Sequence, residues 1–354
     1  MVQVPAQSKI LVTGASGFIG THVVETFLRH GFSVRGTVRS ESKGKYLDEL
    51  FATYKSVWEW VIVADVEASD SFNDAVKDVD GIAHTASPFH FNTDSDPYGK
   101  IINPAVNGTL SILRAAKEHG DKVKRIVLTS SSAAIFNQSL KAPTTIDEGS
   151  WNVDDLKELE KKGIDTPGGV VYRASKTLAE RAAWDFSAKE KPSFDIVTLQ
   201  PPLVFGPIIH QVNGPDSLNT SIKQVWEHAT GVASVDDAVT RGGNMVDVRD
   251  LAEAHVLALK VYEAGGHRFA ISCQCYSWQD VLDNIVKAIE KDPAMQSLFS
   301  SFKEGKPGAG KERLSIRLVS ERSKKILGLK YMSFEDTIAD TVDALARKAQ
   351  NQWK

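Results

Sequence analysis

KILVTGASGFIG, residues 9–20, decides how this chain folds. KILVTG is a short apolar run that ends in glycine, which suits a strand buried on both faces of a parallel sheet. From residue 18 to residue 30 the apolar side chains recur at helical spacing, and Gly31 stands where a helix C-cap is expected. Gly14, Gly17 and Gly20 lie between the two elements at intervals of three. Gly14 permits the tight turn out of the strand, Gly17 lets backbone amides approach a pyrophosphate, and Gly20 lets the helix close on the sheet. A glycine motif that follows a strand and opens a helix reads as a dinucleotide cradle, here Thr13, Gly14, Ser16, Gly17, Phe18, Ile19 and Gly20. The competing reading is a glycine-rich turn without a ligand.

The same alternation continues outward. Residues 32–38, 58–66, 80–87, 123–131 and 194–207 read as further strands, the last running into a proline-rich loop, and Asn103–His119 reads as a helix between two of them. The pattern predicts an α/β fold: a Rossmann-type doubly wound parallel sheet that binds ligands outside its C-terminal strand ends. We assign residues 1–205 to an NADP-binding domain and 206–354 to a smaller C-terminal substrate-binding lobe. The 243–275 segment is expected to return to the first domain.

Composition narrows the function. In 354 residues, 42 basic and 45 acidic side chains leave a net charge of −3, which gives no electrostatic case for nucleic acid. No apolar run is long enough to span a bilayer, and the opening MVQVPAQSKI lacks the pattern of a secretory signal. The expectation is a cytoplasmic protein, monomer or homodimer, with no membrane partner. Cys273 and Cys275 fall in one apparent strand, ISCQCYSW, on the same face, which is poor geometry for a disulfide. They read as packed thiols in a reducing compartment.

Cofactor choice falls at the end of the second strand, where an acid favours NAD and a base NADP. That strand ends GTVRS, residues 36–40, with no acid on it. Arg39 can meet a 2′-phosphate with its guanidinium fork, and Lys43 follows one turn later. NADP(H) is the expected cofactor. Asp65, followed by Val66, either accepts a hydrogen bond from the adenine amino group or caps the next turn.

The chemistry is carried further along. In YRASK, residues 172–176, Tyr172 and Lys176 stand four apart and share a helix face. A free tyrosine is a poor proton shuttle at neutral pH. A neighbouring ammonium, together with an oxidised nicotinamide, favours the phenolate and lowers that pKa. The fifth strand ends LTSSS, residues 128–132, so Thr129 and three serines lie where ligands bind, and spacing leaves the choice of serine open. A hydroxyl there can donate to a carbonyl oxygen as charge develops. His84 and His90 have no second ligand at metal spacing, and no metal site is expected.

These motifs resemble the extended short-chain dehydrogenase/reductase family. More narrowly they resemble its dihydroflavonol reductase-like branch and the microbial NADPH-dependent aldehyde/ketone reductases of methylglyoxal type. VTGASGFIG, VRGTVRS, HTASPF, PAVNGTL, RIVLTSSSAAIF, DEGSWN, YRASKTLAE, PLVFGP, LNTS and VDVRDLAEAH occur in family order. The resemblance implies a triad of Ser131, Tyr172 and Lys176, with Lys176 also binding the nicotinamide ribose. It implies that Thr85, Ala86 and Ser87 run along the inner ribose and phosphates, and Pro201, Leu203 and Val204 along the nicotinamide. Asn107 either joins a proton relay or packs its helix. The implied activity is NADPH-dependent reduction of a small carbonyl compound.

Phe89, Phe136, Val171, Leu203 and Phe205 are expected to wall an apolar substrate cleft with one polar corner at Ser131. Trp151 reads as structural. Other readings are a hydroxysteroid dehydrogenase, a cinnamoyl-CoA reductase, a sugar-nucleotide epimerase and a non-catalytic nucleotide sensor. GGVVYRASK departs from the cinnamoyl-CoA reductase signature, and the absence of an acid at the second strand end departs from an NAD-retaining epimerase.

Overall fold

A computed structural model describes residues 4–5, 7–87, 96–312, 315–351 and 353. Its main sheet contains β1 (Lys9–Thr13), β2 (Ser33–Val38), β3 (Trp58–Ile62), β4 (Gly81–His84), β5 (Arg125–Thr129), β7 (Asp195–Gln200) and β10 (Arg268–Ala270). The seven strands are all parallel, in the order β10-β7-β5-β4-β1-β2-β3. The chain winds outward from β1 to β3, then restarts on the other side of β1 with β4. That reversal opens a crevice at the C-terminal ends of β1 and β4, the place where such sheets bind ligands.

Neighbouring residues on a strand face opposite layers. Leu11, Ile82, Ile126 and Ile196 join Ile112 and Leu113 of helix α3 (Asn103–His119) and Ala183 and Phe186 of α5 (Gly168–Glu190). Val12, Ala83, Val127 and Val197 join Val23 and Phe27 of α1 (Phe18–Arg29) and Leu251 and Leu259 of α7 (Val248–Lys260). Both faces are therefore covered, which is why these strands are apolar throughout rather than alternating. Between α1 and α3 the chain also forms α2 (Glu41–Leu50), and α4 (Asp154–Lys162) precedes α5.

The second half builds a smaller layer. β8 (Leu203–Phe205), β9 (Gly242–Asp247) and β11 (Gln274–Ser277) form one sheet, and β6 (Thr144–Ile146) pairs with β12 (Ile316–Leu318). Helices α6 (Thr220–Ala229), α8 (Trp278–Glu290), α9 (Pro293–Leu298) and α10 (Phe334–Gln350) pack around them. Residues 194–207 are two strands, not one. Pro201 and Pro202 cannot donate to a ladder, so β7 stops at Gln200 and β8 starts in the other sheet. Cys273 lies ahead of β11 rather than within it. Its thiol donates to the Met332 carbonyl at 3.2 Å, while that of Cys275 donates to Asn244 Oδ1 at 3.1 Å, and both are free.

Arg125, at the start of β5, is 0 % exposed. Its guanidinium pairs with Asp195 on β7 at 2.6 and 3.0 Å and donates to the carbonyls of Ala258, Val261 and Tyr262, where α7 ends. A cation there complements the negative end of the helix. No helix among the described residues is long and apolar enough to cross a membrane.

Helix α1 docks on the sheet through Gly20, where an added Cβ would lie 2.1 Å from the Gly14 carbonyl oxygen. The obstacle is backbone, so the helix itself has to retreat. Gly20→Ala should lose about 1–3 kcal/mol, the usual range for overpacking, read as a lower urea midpoint at unchanged slope.

Candidate active site

The crevice begins at Thr13. Its hydroxyl meets His84 Nδ1 at 2.9 Å and accepts from the Ala86 amide at 3.2 Å, while its carbonyl accepts from Thr85 Oγ1 at 2.6 Å. These bonds clamp the ends of β1 and β4 together. Burial holds His84 down at about 4, so it stays neutral. Gly14 turns with φ +69°, and a Cβ on it would sit 3.0 Å from Ala86 Cα. The turn is tied to β2 by Gly14 N–H donating to Thr37 Oγ1 and Ala15 N–H to the Thr37 carbonyl, both at 3.0 Å. Gly17 caps α1 without any side-chain hydrogen bond, and a Cβ there would meet only the Gly14 carbonyl, at 3.4 Å. The first-turn amides of Phe18 and Ile19 are thus left for an anion. Ser16 is half-buried beside them, and the Phe18 ring turns inward against His22.

At the outer end of the crevice Arg39 is exposed, with no ion pair among the described residues. Lys43 lies on α2, where partial burial lowers its pKa. Asp65 Oδ1 accepts from the Glu67 amide at 2.8 Å, which is the turn-capping geometry. Val66 packs near Gly108 on α3.

The strand end of β5 sorts its hydroxyls. Thr129 Oγ1 lies 2.7 Å from His255 Nε2, and His255 Nδ1 is 2.7 Å from the Leu251 carbonyl, so Nδ1 carries the proton and Nε2 accepts from Thr129. Ser130 donates to Glu180 Oε2 at 2.5 Å. Ser132 is tied by its amide to the Pro201 carbonyl at 2.8 Å. Ser131, whose Oγ also accepts from the Ala133 amide at 3.1 Å, has a hydrogen bond with the Tyr172 phenol.

Tyr172 and Lys176 lie on one stripe of α5. Burial pushes the phenol well above its usual pKa, and the Ser131 hydrogen bond opposes that only in part. Burial also pulls the Lys176 ammonium down to about 8. Its Nζ donates to Ser87 Oγ at 2.5 Å and lies 5.4 Å from the centre of the Tyr172 ring. Burial is the larger influence on the Tyr172 phenol in the protein alone.

Sequence reading missed the carboxylate behind this pair. Glu180, a turn beyond Lys176 and 3 % exposed, accepts from Ser130, Thr198, Gln200 and Arg268. Spacing of four from Tyr172 to Lys176 to Glu180 was the available signal. Arg268 comes from β10, which carries no motif, and stacks over Trp151 at 3.6 Å, a packing contact for Trp151. A cavity of about 30 Å³ is lined by Lys176, Glu180 and Thr198 among others.

Phe136 and Leu203 line a larger cavity of about 520 Å³, next to Ser132 and Pro202. Val171 and Phe205 do not. Both are 0 % exposed: Val171 packs with Ile101, Ile102 and Leu159, and Phe205 packs edge-on against Tyr276 and Trp278, so neither presents surface to a ligand. Val204 is buried too, its carbonyl accepting from Ser221 Oγ at 2.5 Å. Phe89 and His90 lie outside the described residues. Asn107 is exposed on α3. Among the described residues no three His, Cys, Asp or Glu side chains are grouped to hold a metal.

A glycine cradle at a topological switch point, with a tyrosine and a lysine converging beside it, defines a class of nucleotide-dependent enzymes on a doubly wound sheet. The chain belongs to the NAD dependent epimerase/dehydratase family, the extended short-chain dehydrogenases/reductases, whose model matches residues 10–272. It is 33% identical over 350 residues to the NADPH-dependent methylglyoxal reductase GRE2 of Saccharomyces cerevisiae, covering 96% of this chain and 98% of that one. It is 34% identical over 346 residues to the ketoreductase azaE of Aspergillus niger, covering 96% and 98%. The crystal structure of yeast methylglyoxal/isovaleraldehyde reductase Gre2 complexed with NADPH superposes with a TM-score of 0.84 at 32% identity, covering 97% of this chain and 99% of that one.

Removing the Glu180 carboxylate strands the Arg268 guanidinium, only 11% exposed, without a countercharge. Glu180→Ala should cost about 3–5 kcal/mol of unfolding free energy in guanidinium titrations, and Glu180→Gln less, since the amide retains an acceptor oxygen.

Proposed function

We propose that this chain is an NADPH-dependent carbonyl reductase that converts aldehydes and ketones to alcohols. The observation that carries the reading is the hydrogen bond between Ser131 and Tyr172 at the open end of β5, with Lys176 beside it. The naming of the relatives as NADPH-dependent and ketone reductases supports it.

The crevice fits the cofactor. Uncapped α1 amides and the bare Gly17 surface suit a pyrophosphate, and an unpaired Arg39 with Lys43 suits a 2′-phosphate. Thr85, Ala86 and Ser87 line the inner crevice, and Pro201 and Leu203 its far end. Bound there, NADPH supplies the hydride. Ser131 holds the carbonyl oxygen by donating its hydroxyl proton as charge builds on that oxygen. Tyr172, kept protonated by burial, delivers its proton to the same atom. Lys176 orients Tyr172 and carries positive charge beside it up to a pH of about 8. Residues 1–205 form the cofactor domain and 206–354 the lobe that covers the substrate, with the segment 243–275 returning to the first. A cytoplasmic setting suits its two free thiols.

Tyr172→Phe should lower the steady-state rate of NADPH oxidation with a neutral aldehyde by about 10²–10⁴, while the NADPH dissociation constant stays within about threefold. A rate close to that of the parent protein removes Tyr172 from proton transfer. Arg39→Ala should reduce the preference for NADPH over NADH, as a ratio of kcat/KM, by about 10- to 100-fold, the worth of one charge-assisted hydrogen bond. An unchanged ratio takes Arg39 out of cofactor recognition.

A further inference from the structure

The cavity of about 520 Å³ beside the reaction corner has one charged wall. Ser132, the residue after Ser131, lines it together with Phe136, Leu203, Gln224, Arg241 and Trp278. Arg241 is the single ionisable cation among the described residues that line it.

That guanidinium is held in place by a ladder of rings. His228 stacks flat on Trp278, with centroids 4.2 Å apart and planes 3° from parallel. His228 Nδ1 is 2.7 Å from the Gln224 carbonyl and must donate to it. Nε2 of the neutral ring is then an acceptor and takes a hydrogen bond from Arg241 Nη2 at 3.1 Å. The guanidinium carbon lies 5.2 Å from the centre of the Trp278 ring, a cation–π contact that fixes it from a second direction. Asp237 approaches Nε at 3.5 Å, but both partners are substantially exposed, so the pair neutralises little of the charge. Nη1 carries no hydrogen bond among the described residues.

A planar cation held by its neighbours, with one nitrogen unused, suits a carboxylate. We propose that Arg241 is a substrate-specificity residue that binds the carboxylate of an oxo acid whose carbonyl group lies at Ser131 and Tyr172. The proposal rests on the carbonyl-reductase reading above. The hydride goes to the carbonyl carbon, the Tyr172 proton goes to the oxygen, and the carboxylate leaves unchanged on a hydroxy acid. An anchor remote from the reacting bond binds ground and transition states alike, so its loss acts on KM rather than kcat.

The test is NADPH oxidation by the full chain with oxo acids from glyoxylate to 6-oxohexanoate, each beside its methyl ester and the unsubstituted aldehyde of the same length. At least one oxo acid should exceed its aldehyde in kcat/KM by about tenfold or more, and Arg241→Ala should erase that margin through KM while aldehyde turnover stays within about threefold. Arg241→Lys should restore part of it. Equal kcat/KM for acid and aldehyde throughout the series in the parent protein overturns the proposal, and needs no variant to fold. Equal values for acid and ester overturn the carboxylate assignment in favour of a neutral acceptor. A variant that loses acid and aldehyde turnover equally shows a structural role and overturns it too. No turnover of any aldehyde with NADPH would instead sink the reductase reading itself.

Discussion

Glu180 accepts hydrogen bonds from the end of β5, from two side chains of β7 and from Arg268 on β10, while sitting on the helix that carries Tyr172 and Lys176. A carboxylate with so little exposure is tolerated because both of its oxygens meet donors and a guanidinium balances its charge. The consequence is geometric. Ser130 is drawn toward Glu180, which leaves the next residue, Ser131, to face Tyr172. Three strands and one helix are thereby set against each other at one point, and the reaction corner takes its shape from that buried charge.

The electrostatics of the corner follow from its dryness. His84 and His255 are held neutral near 4, Lys176 is brought down to about 8, and Tyr172 is pushed up, all by burial. A protonated phenol suits the proton transfer proposed for Tyr172. Lys176 is charged at neutral pH but engaged with Ser87, so in the protein alone its influence on the phenol is weak.

Much of this was legible in the sequence where backbone geometry dictates residue type. Gly14 and Gly20 are demanded by a positive φ and by a helix pressed onto a carbonyl, and the strands announce themselves because both faces are covered. Side-chain direction was not legible. Ser130 and Ser131 differ only in what faces them, and Val171 and Phe205 are as apolar as Phe136 but point into the core. Gln224, Arg241 and Trp278 come from the loop-rich half, at no fixed spacing from any motif, so nothing linear connects them to Ser131. Glu180 was within reach of periodicity, but its partner Arg268 was not.

Arg125 has a consequence for anyone recombining this chain with its relatives. The substrate-facing half looks exchangeable, since Arg241 and Trp278 lie in it and the nucleotide crevice does not. Yet the guanidinium buried under β5 is satisfied by carbonyls at the end of α7, far along in that same half. A chimera crossed over at residue 205 keeps the Asp195 countercharge but must import carbonyls that match to within a few tenths of an ångström, or leave the remaining guanidinium N–H groups unpaired in the core. Grafting only the loops that carry Gln224 and Arg241, with α7 and β10 left native, transfers the wall without disturbing that anchor.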